Sequence, residues 1–167
     1  TARSRGLGDV YKRQCENLAT ALAMMGKKVL LIDFNLRNPM LNNTFETIGS
    51  KGLVEWIMHD EKLENVVSKT PTENLDFMST GEEKAAPLTL INHKNFTKEF
   101  SKAKSKYDVI IMDSPATAYT PDAISLMKYC DHTLYIIRAN YTKKKYMMSA
   151  DLIKEEFGIR HMGFVLN

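Results

Sequence analysis

At 167 residues the chain is long enough for one domain with a real core and too short for two comfortable ones. Its 44% hydrophobic and 26% charged residues are ordinary for a globular protein, and no apolar run approaches the roughly 20 residues that span a bilayer. The formal charge of +3 arises wholly within residues 1–14, where Arg3, Arg5, Lys12 and Arg13 oppose only Asp9, and the neutral remainder argues against a nucleic-acid-binding face.

Cys15 and Cys130 fit neither a metal spacing nor a disulfide framework, and read as buried thiols of a reducing compartment. The basic start has no apolar stretch behind it, so no signal peptide is read. Both observations predict a cytoplasmic domain.

In chain order, residues 16–25 place Leu18, Leu22 and Met25 on one helical stripe, and Gly26 stands where a helix end favours glycine. Residues 28–33 form an unbroken apolar run ending in Asp33. The stretch from Asn38 to Leu90 is less regular, with a small helix over residues 53–58 and a short strand over 75–78. A helix over 96–106 carries Phe96 and Phe100 at i, i+4, and residues 108–113 form a second apolar run ending in Asp113. Pro121 opens a helix to Tyr129, with Thr120 as its candidate cap. A strand over 133–138, a long helix over 142–157 followed by Gly158, and a strand over 162–167 complete the chain. The Lys143-Lys144-Lys145 run reads as the solvated face of that helix.

Unbroken apolar strands indicate a sheet covered on both faces, hence mainly parallel. Their alternation with helices predicts right-handed βαβ units in one doubly wound α/β domain, without repeats.

Ligands of such sheets bind beyond the carboxyl ends of the strands, where Asp33 and Asp113 both stand. Ser114-Pro115 gives the second strand a sharp exit, and the pattern has the character of a Walker B strand, whose aspartate holds Mg²⁺ against nucleotide phosphates. A turn residue or helix cap would explain either aspartate alone; two such strands in one chain make that less economical. If the chain stays extended past Asp33, then Asn35 and Arg37 lie on its side of the strand, where the guanidinium would suit phosphate. A simple Arg37–Asp33 ion pair is the alternative.

Here a specific resemblance enters. KVLLIDFNLRNP, from Lys28 to Pro39, resembles the Walker A′ strand of the bacterial tyrosine autokinases of capsule and exopolysaccharide export. YDVIIMDSP, from Tyr107 to Pro115, is similar to their Walker B. KGLVEWI, ENLDFMSTG and PLTLINHKNF follow in the family's order, and the final VLN resembles the strand that brings an asparagine, here Asn167, towards the base. The resemblance runs from Glu16 to Asn167 and implies a P-loop fold of the deviant Walker class, with ATP and Mg²⁺ as cofactors.

It further implies that Asp33 binds Mg²⁺ and takes the tyrosine proton, that Asp113 holds Mg²⁺, and that Asn35, Arg37 and Ser114 line the nucleotide site. The implied partners are a tyrosine-bearing protein (the chain itself or a neighbouring subunit), a membrane adaptor domain and further copies in a homo-oligomer, with no nucleic acid. The implied location is the cytoplasmic side of the bacterial inner membrane.

Three departures stand out. Asn35 occupies the place of a usual second acid, which leaves the base role to Asp33 alone. The family's tyrosine-rich tail would lie beyond Asn167. Its phosphate loop should precede the helix near Glu16, but Gly6-Leu7-Gly8 is not followed by Gly-Lys-Ser/Thr, and Lys12 has no glycine before it. Residues 1–14 therefore read as a foreign, disordered leader on a partial nucleotide-binding domain over residues 15–167. Two rivals share the Walker strands: a partitioning or septum-site ATPase, and a degenerate regulatory domain that keeps the fold without turnover.

Overall fold

The computed structural model describes residues 8–39, 41, 45, 50–115, 121–137, 139, 141–142, 144–159 and 161–166. The chain divides into two compact units, Thr1–Ser114 and Pro115–Asn167.

The first unit opens with α1 (Gly8–Met24), a 17-residue helix. Disorder expected over residues 1–14 is thus corrected for Gly8–Gln14, which continue the helix; residues 1–7 lie outside the described residues. The physical reason is cooperativity: once Glu16–Met24 is helical, each added residue gains a hydrogen bond without a new nucleus, and Lys12, Arg13 and Gln14 are good helix formers. Gly26, at φ +82°, ends the helix as expected, with Lys27 N–H donating to Leu22 O at 3.2 Å.

Next come β1 (Val29–Asp33), α2 (Leu53–Met58), the single-turn α3 (Leu63–Val66), β2 (Ser68–Lys69) and β3 (Leu75–Met78). They are followed by α4 (Pro87–Ile91), α5 (Phe96–Lys104) and β4 (Val109–Asp113). The sheet order is β2-β3-β1-β4, with β1 parallel to both neighbours and only the two-residue β2 antiparallel. Because strand residues alternate between faces, Val29, Leu31, Leu75 and Phe77 turn one way and join Ala19 and Ala23 of α1 in a closed core. Leu30, Ile32 and Met78 turn the other way and are equally buried. On that side Phe96 and Phe100 of α5 meet at 4.6 Å with their rings tilted by 40°, with Phe34 edge-on to Phe96 at 6.4 Å and Trp56 of α2 at 5.1 Å from Phe100. Helices on both faces of a mainly parallel sheet are the expected α/β class.

The second unit comprises α6 (Pro121–Met127), β5 (Thr133–Ile137), α7 (Lys144–Phe157) and β6 (Met162–Leu166). Thr120, the expected cap, lies outside the described residues. β5 and β6 pair in parallel with each other, in register from Thr133↔Met162 to Ile137↔Leu166. Among the described residues β4 has a partner on one side only, and its residues are half-buried where β1 is wholly buried.

Candidate functional site

β1 and β4 are apolar neighbours in the parallel sheet, and their register runs from Val29↔Val109 to Asp33↔Asp113. The two aspartates are therefore direct partners at the carboxyl ends of parallel strands, on the same face of the sheet, roughly 4.8 Å apart at the backbone. At an effective dielectric near 20, two charges at about 5 Å repel by about 3 kcal/mol. A divalent cation would relieve that repulsion, and two hard carboxylate oxygens suit Mg²⁺.

Each carboxylate is held differently. Asp33 is fully buried, and its two oxygens accept from separate backbone amides, Asn35 N–H at 3.0 Å and Leu41 N–H at 3.1 Å. Those donors compensate its charge in a dry setting. Asp113 is half-buried and accepts from the Cys15 thiol of α1 at 3.4 Å, while its carbonyl takes Phe34 N–H at 2.9 Å.

Past Asp33 the chain departs from expectation. It does not stay extended: Asn38 N–H donates to Asn35 O at 3.1 Å and to Asn35 Oδ1 at 3.3 Å, closing a turn through Leu36 and Arg37. Asparagine at the first turn position supplies a local acceptor, and Pro39 follows directly. The alignment of Asp33, Asn35 and Arg37 on one side is thus corrected: the Asn35 amide is spent on the turn, and Arg37 is exposed. Ser114 is half-buried directly after Asp113, and Asn167 lies outside the described residues.

A third strand end adds an element that sequence reasoning missed. Met78 of β3 is the register partner of Ile32, so Ser79 and Thr80, both buried, leave the sheet beside Asp33. The loop they start is fastened by Glu55 of α2. One Glu55 oxygen accepts Gly52 N–H at 2.8 Å; the other accepts Glu82 N–H at 3.1 Å and Glu83 N–H at 2.9 Å. Burial alone would raise the Glu55 pKa, but these amides outweigh it and hold the carboxyl below its ordinary 4.5. Gly81 sits at φ +105°, and a Cβ there would lie 2.1 Å from Glu55 Oε2, so only glycine fits. The signal was faint but present: glycine, two residues, then glutamate at the third helical position is the acceptor half of a capping box.

Magnesium therefore fits the residues present, with Asp33 and Asp113 to hold it. The phosphate-gripping half does not: residues 8–14 form helix, and no glycine-rich loop stands among the described residues. Nor do the described residues contain a helix long and apolar enough to cross a membrane.

Comparison with known proteins accords with this geometry. A family profile described as an AAA domain matches residues 9–145. The tyrosine-protein kinase CpsD of Streptococcus agalactiae serotype III is 30% identical over 152 residues, covering 90% of this chain and 66% of CpsD. The chain thus spans about two thirds of that relative, and only 21% of the tyrosine-protein kinase ptk of Acinetobacter johnsonii, to which it is 32% identical. Among solved structures, the VpsO kinase domain superposes with a TM-score of 0.84 at 29% identity, over 92% of this chain and 75% of that one. The septum site-determining protein MinD of Pyrococcus horikoshii, solved with Mg-ADP, superposes at 0.73 with 25% identity, over 92% of this chain and 63% of its own. The chain belongs to the AAA-domain family, and within it to the branch of the bacterial tyrosine-kinase domains.

Proposed function

We propose that this is the nucleotide-handling domain of an ATP-dependent protein-tyrosine autokinase that regulates capsule or exopolysaccharide polymerisation and export. The observation that carries the reading is the register pair Asp33↔Asp113 at the carboxyl ends of two parallel strands. Magnesium, when bound there, supplies charge neutralisation for phosphoryl transfer.

The residues of the chain do the positioning. Asp113 would offer its carboxylate from the end of β4. Asp33, held by the Asn35 and Leu41 amides, would take a metal-bound water or the tyrosine hydroxyl proton. Arg37, which is exposed, would act near phosphate or a neighbouring subunit. The substrate would be a tyrosine-bearing segment of the protein itself or of another copy, brought together at the membrane by an adaptor domain.

The test uses the complete native gene product incubated with Mg·ATP. Phosphotyrosine should accumulate, and Asp113→Asn should lower its rate by about two orders of magnitude, in line with the loss of a metal-binding charge at a transferring phosphoryl group. The likeness to MinD supports a second reading, an ATPase without tyrosine transfer. ATP hydrolysis with no phosphotyrosine would establish that reading and overturn ours. Neither activity would mark a regulatory domain without turnover.

A further inference from the structure

The second unit carries a pair of histidines that the proposed reaction does not use. β5 and β6 run parallel with Thr133 opposite Met162, so the residues just before them, His132 and His161, enter side by side. Thr133 N–H donates to His161 O at 2.8 Å and fixes that entry. The two imidazole centres lie 5.0 Å apart with their planes inclined by 35°. Both residues are exposed, and neither ring has a hydrogen bond to the described residues. They line one open concavity of about 370 Å³ with Thr133, Gly163 and Lys154 of α7.

We propose that His132 and His161 form a two-histidine seat for a borderline divalent cation of the zinc, nickel or copper class, completed by water. The separation carries the argument. A metal–nitrogen bond of about 2.0–2.1 Å places each ring centre roughly 3.2 Å from the ion, so two cis imidazoles span about 4.5 Å at a right angle and about 5.2 Å at the tetrahedral angle. The observed 5.0 Å falls inside that interval. Imidazole nitrogen favours this class over magnesium or calcium, which take oxygen. No group of three or more His, Cys, Asp or Glu that could hold a metal occurs among the described residues, so the seat is a two-ligand site of modest affinity open to solvent.

Among the described residues Lys154 lines the same concavity, and Asp131 directly precedes His132. An ammonium in the same concavity opposes a dication and favours an anion, so Lys154 separates the two chemistries by sign. The experiment is zinc titration of the untagged 167-residue chain by calorimetry in a non-chelating buffer, with nickel-induced broadening of the histidine ring protons read by NMR. We expect one zinc equivalent whose affinity falls about 10-fold or more in His132→Asn and in His161→Asn, is unchanged in His93→Asn, and rises two- to threefold in Lys154→Gln. Nickel should broaden the His132 and His161 ring resonances first. Zinc affinity that survives both histidine variants, or nickel broadening centred on other histidines, overturns the proposal. So does weaker zinc binding in Lys154→Gln, or displacement of these ring resonances by inorganic phosphate and not by zinc, which would mark an anion site instead.

Discussion

Glu55 offers the sharpest check on how the first unit is held together, because one carboxylate there satisfies three backbone amides. Hydrogen bonds to a charged acceptor each contribute about 1.5–3 kcal/mol net, so three independent ones would total about 4–9 kcal/mol. Glu82 and Glu83 are exposed, however, and once released their amides can turn to water. Only the Gly52 contact and part of the others should then be lost, and we expect Glu55→Ala to cost about 3 kcal/mol. Glu55→Gln keeps one carbonyl oxygen for two of the amides but sets an NH₂ group against the third, and should cost about 1–2 kcal/mol.

Trp56 is the single tryptophan, buried against Phe100 in the same unit, so urea unfolding followed by its fluorescence reads the relevant core. With a slope of about 1.5 kcal/mol/M the Ala variant should shift the midpoint by about 2 M. The Glu55 carboxyl has a lowered pKa in the fold, so its contribution is fully present above the unfolded value and is lost as pH falls through the folded one. The difference between wild type and Glu55→Ala should accordingly shrink below pH 4.5. A cost under about 0.5 kcal/mol, or an Ala cost equal to the Gln cost, would refute the assignment of the loop anchor to this carboxylate.

Two further outcomes follow from the same structure. Burial, and then the 2.7 Å hydrogen bond from Tyr107 OH to Asp76, push the Tyr107 phenol pKa upward. Its raised folded pKa means that its contribution is intact below about pH 10, the unfolded value, and is lost as pH rises above it. Tyr107→Phe should cost about 1 kcal/mol near neutrality and flatten the alkaline fall in stability measured by urea midpoints; an unchanged alkaline profile would count against it. Residues 1–167, with no Gly-Lys-Ser/Thr phosphate loop in the sequence, should bind Mg·ATP no better than millimolar. Micromolar affinity in calorimetry would contradict that.

Much of the site was legible in the chain because strand interiors write themselves in unbroken apolar letters. Val29 to Ile32 and Val109 to Met112 could be little else, and an aspartate closing each run marks the end of the sheet where ligands bind. What periodicity does not encode is which strands are partners in register, so the apposition of Asp33 and Asp113 had to be seen. Alternation describes only a chain that stays extended, and at Asn35–Asn38 the Asn35 side chain offers the backbone a turn instead. The role of Glu55 is not written in the local sequence, since two of its three donors arrive from a loop about 27 residues away. His132 and His161, 29 positions apart, meet only through the β5–β6 register.

The two amides on Asp33 also bear on how loss-of-function variants should be read. Asparagine at that position removes a charge and, with a single carbonyl oxygen, can accept only one side of the clasp, leaving either the Asn35 or the Leu41 amide facing an NH₂ group. An inactive Asp33→Asn protein would thus combine a chemical defect with a displaced segment over residues 34–41. It is an ambiguous negative control unless amide exchange at Asn35 and Leu41 shows the clasp intact.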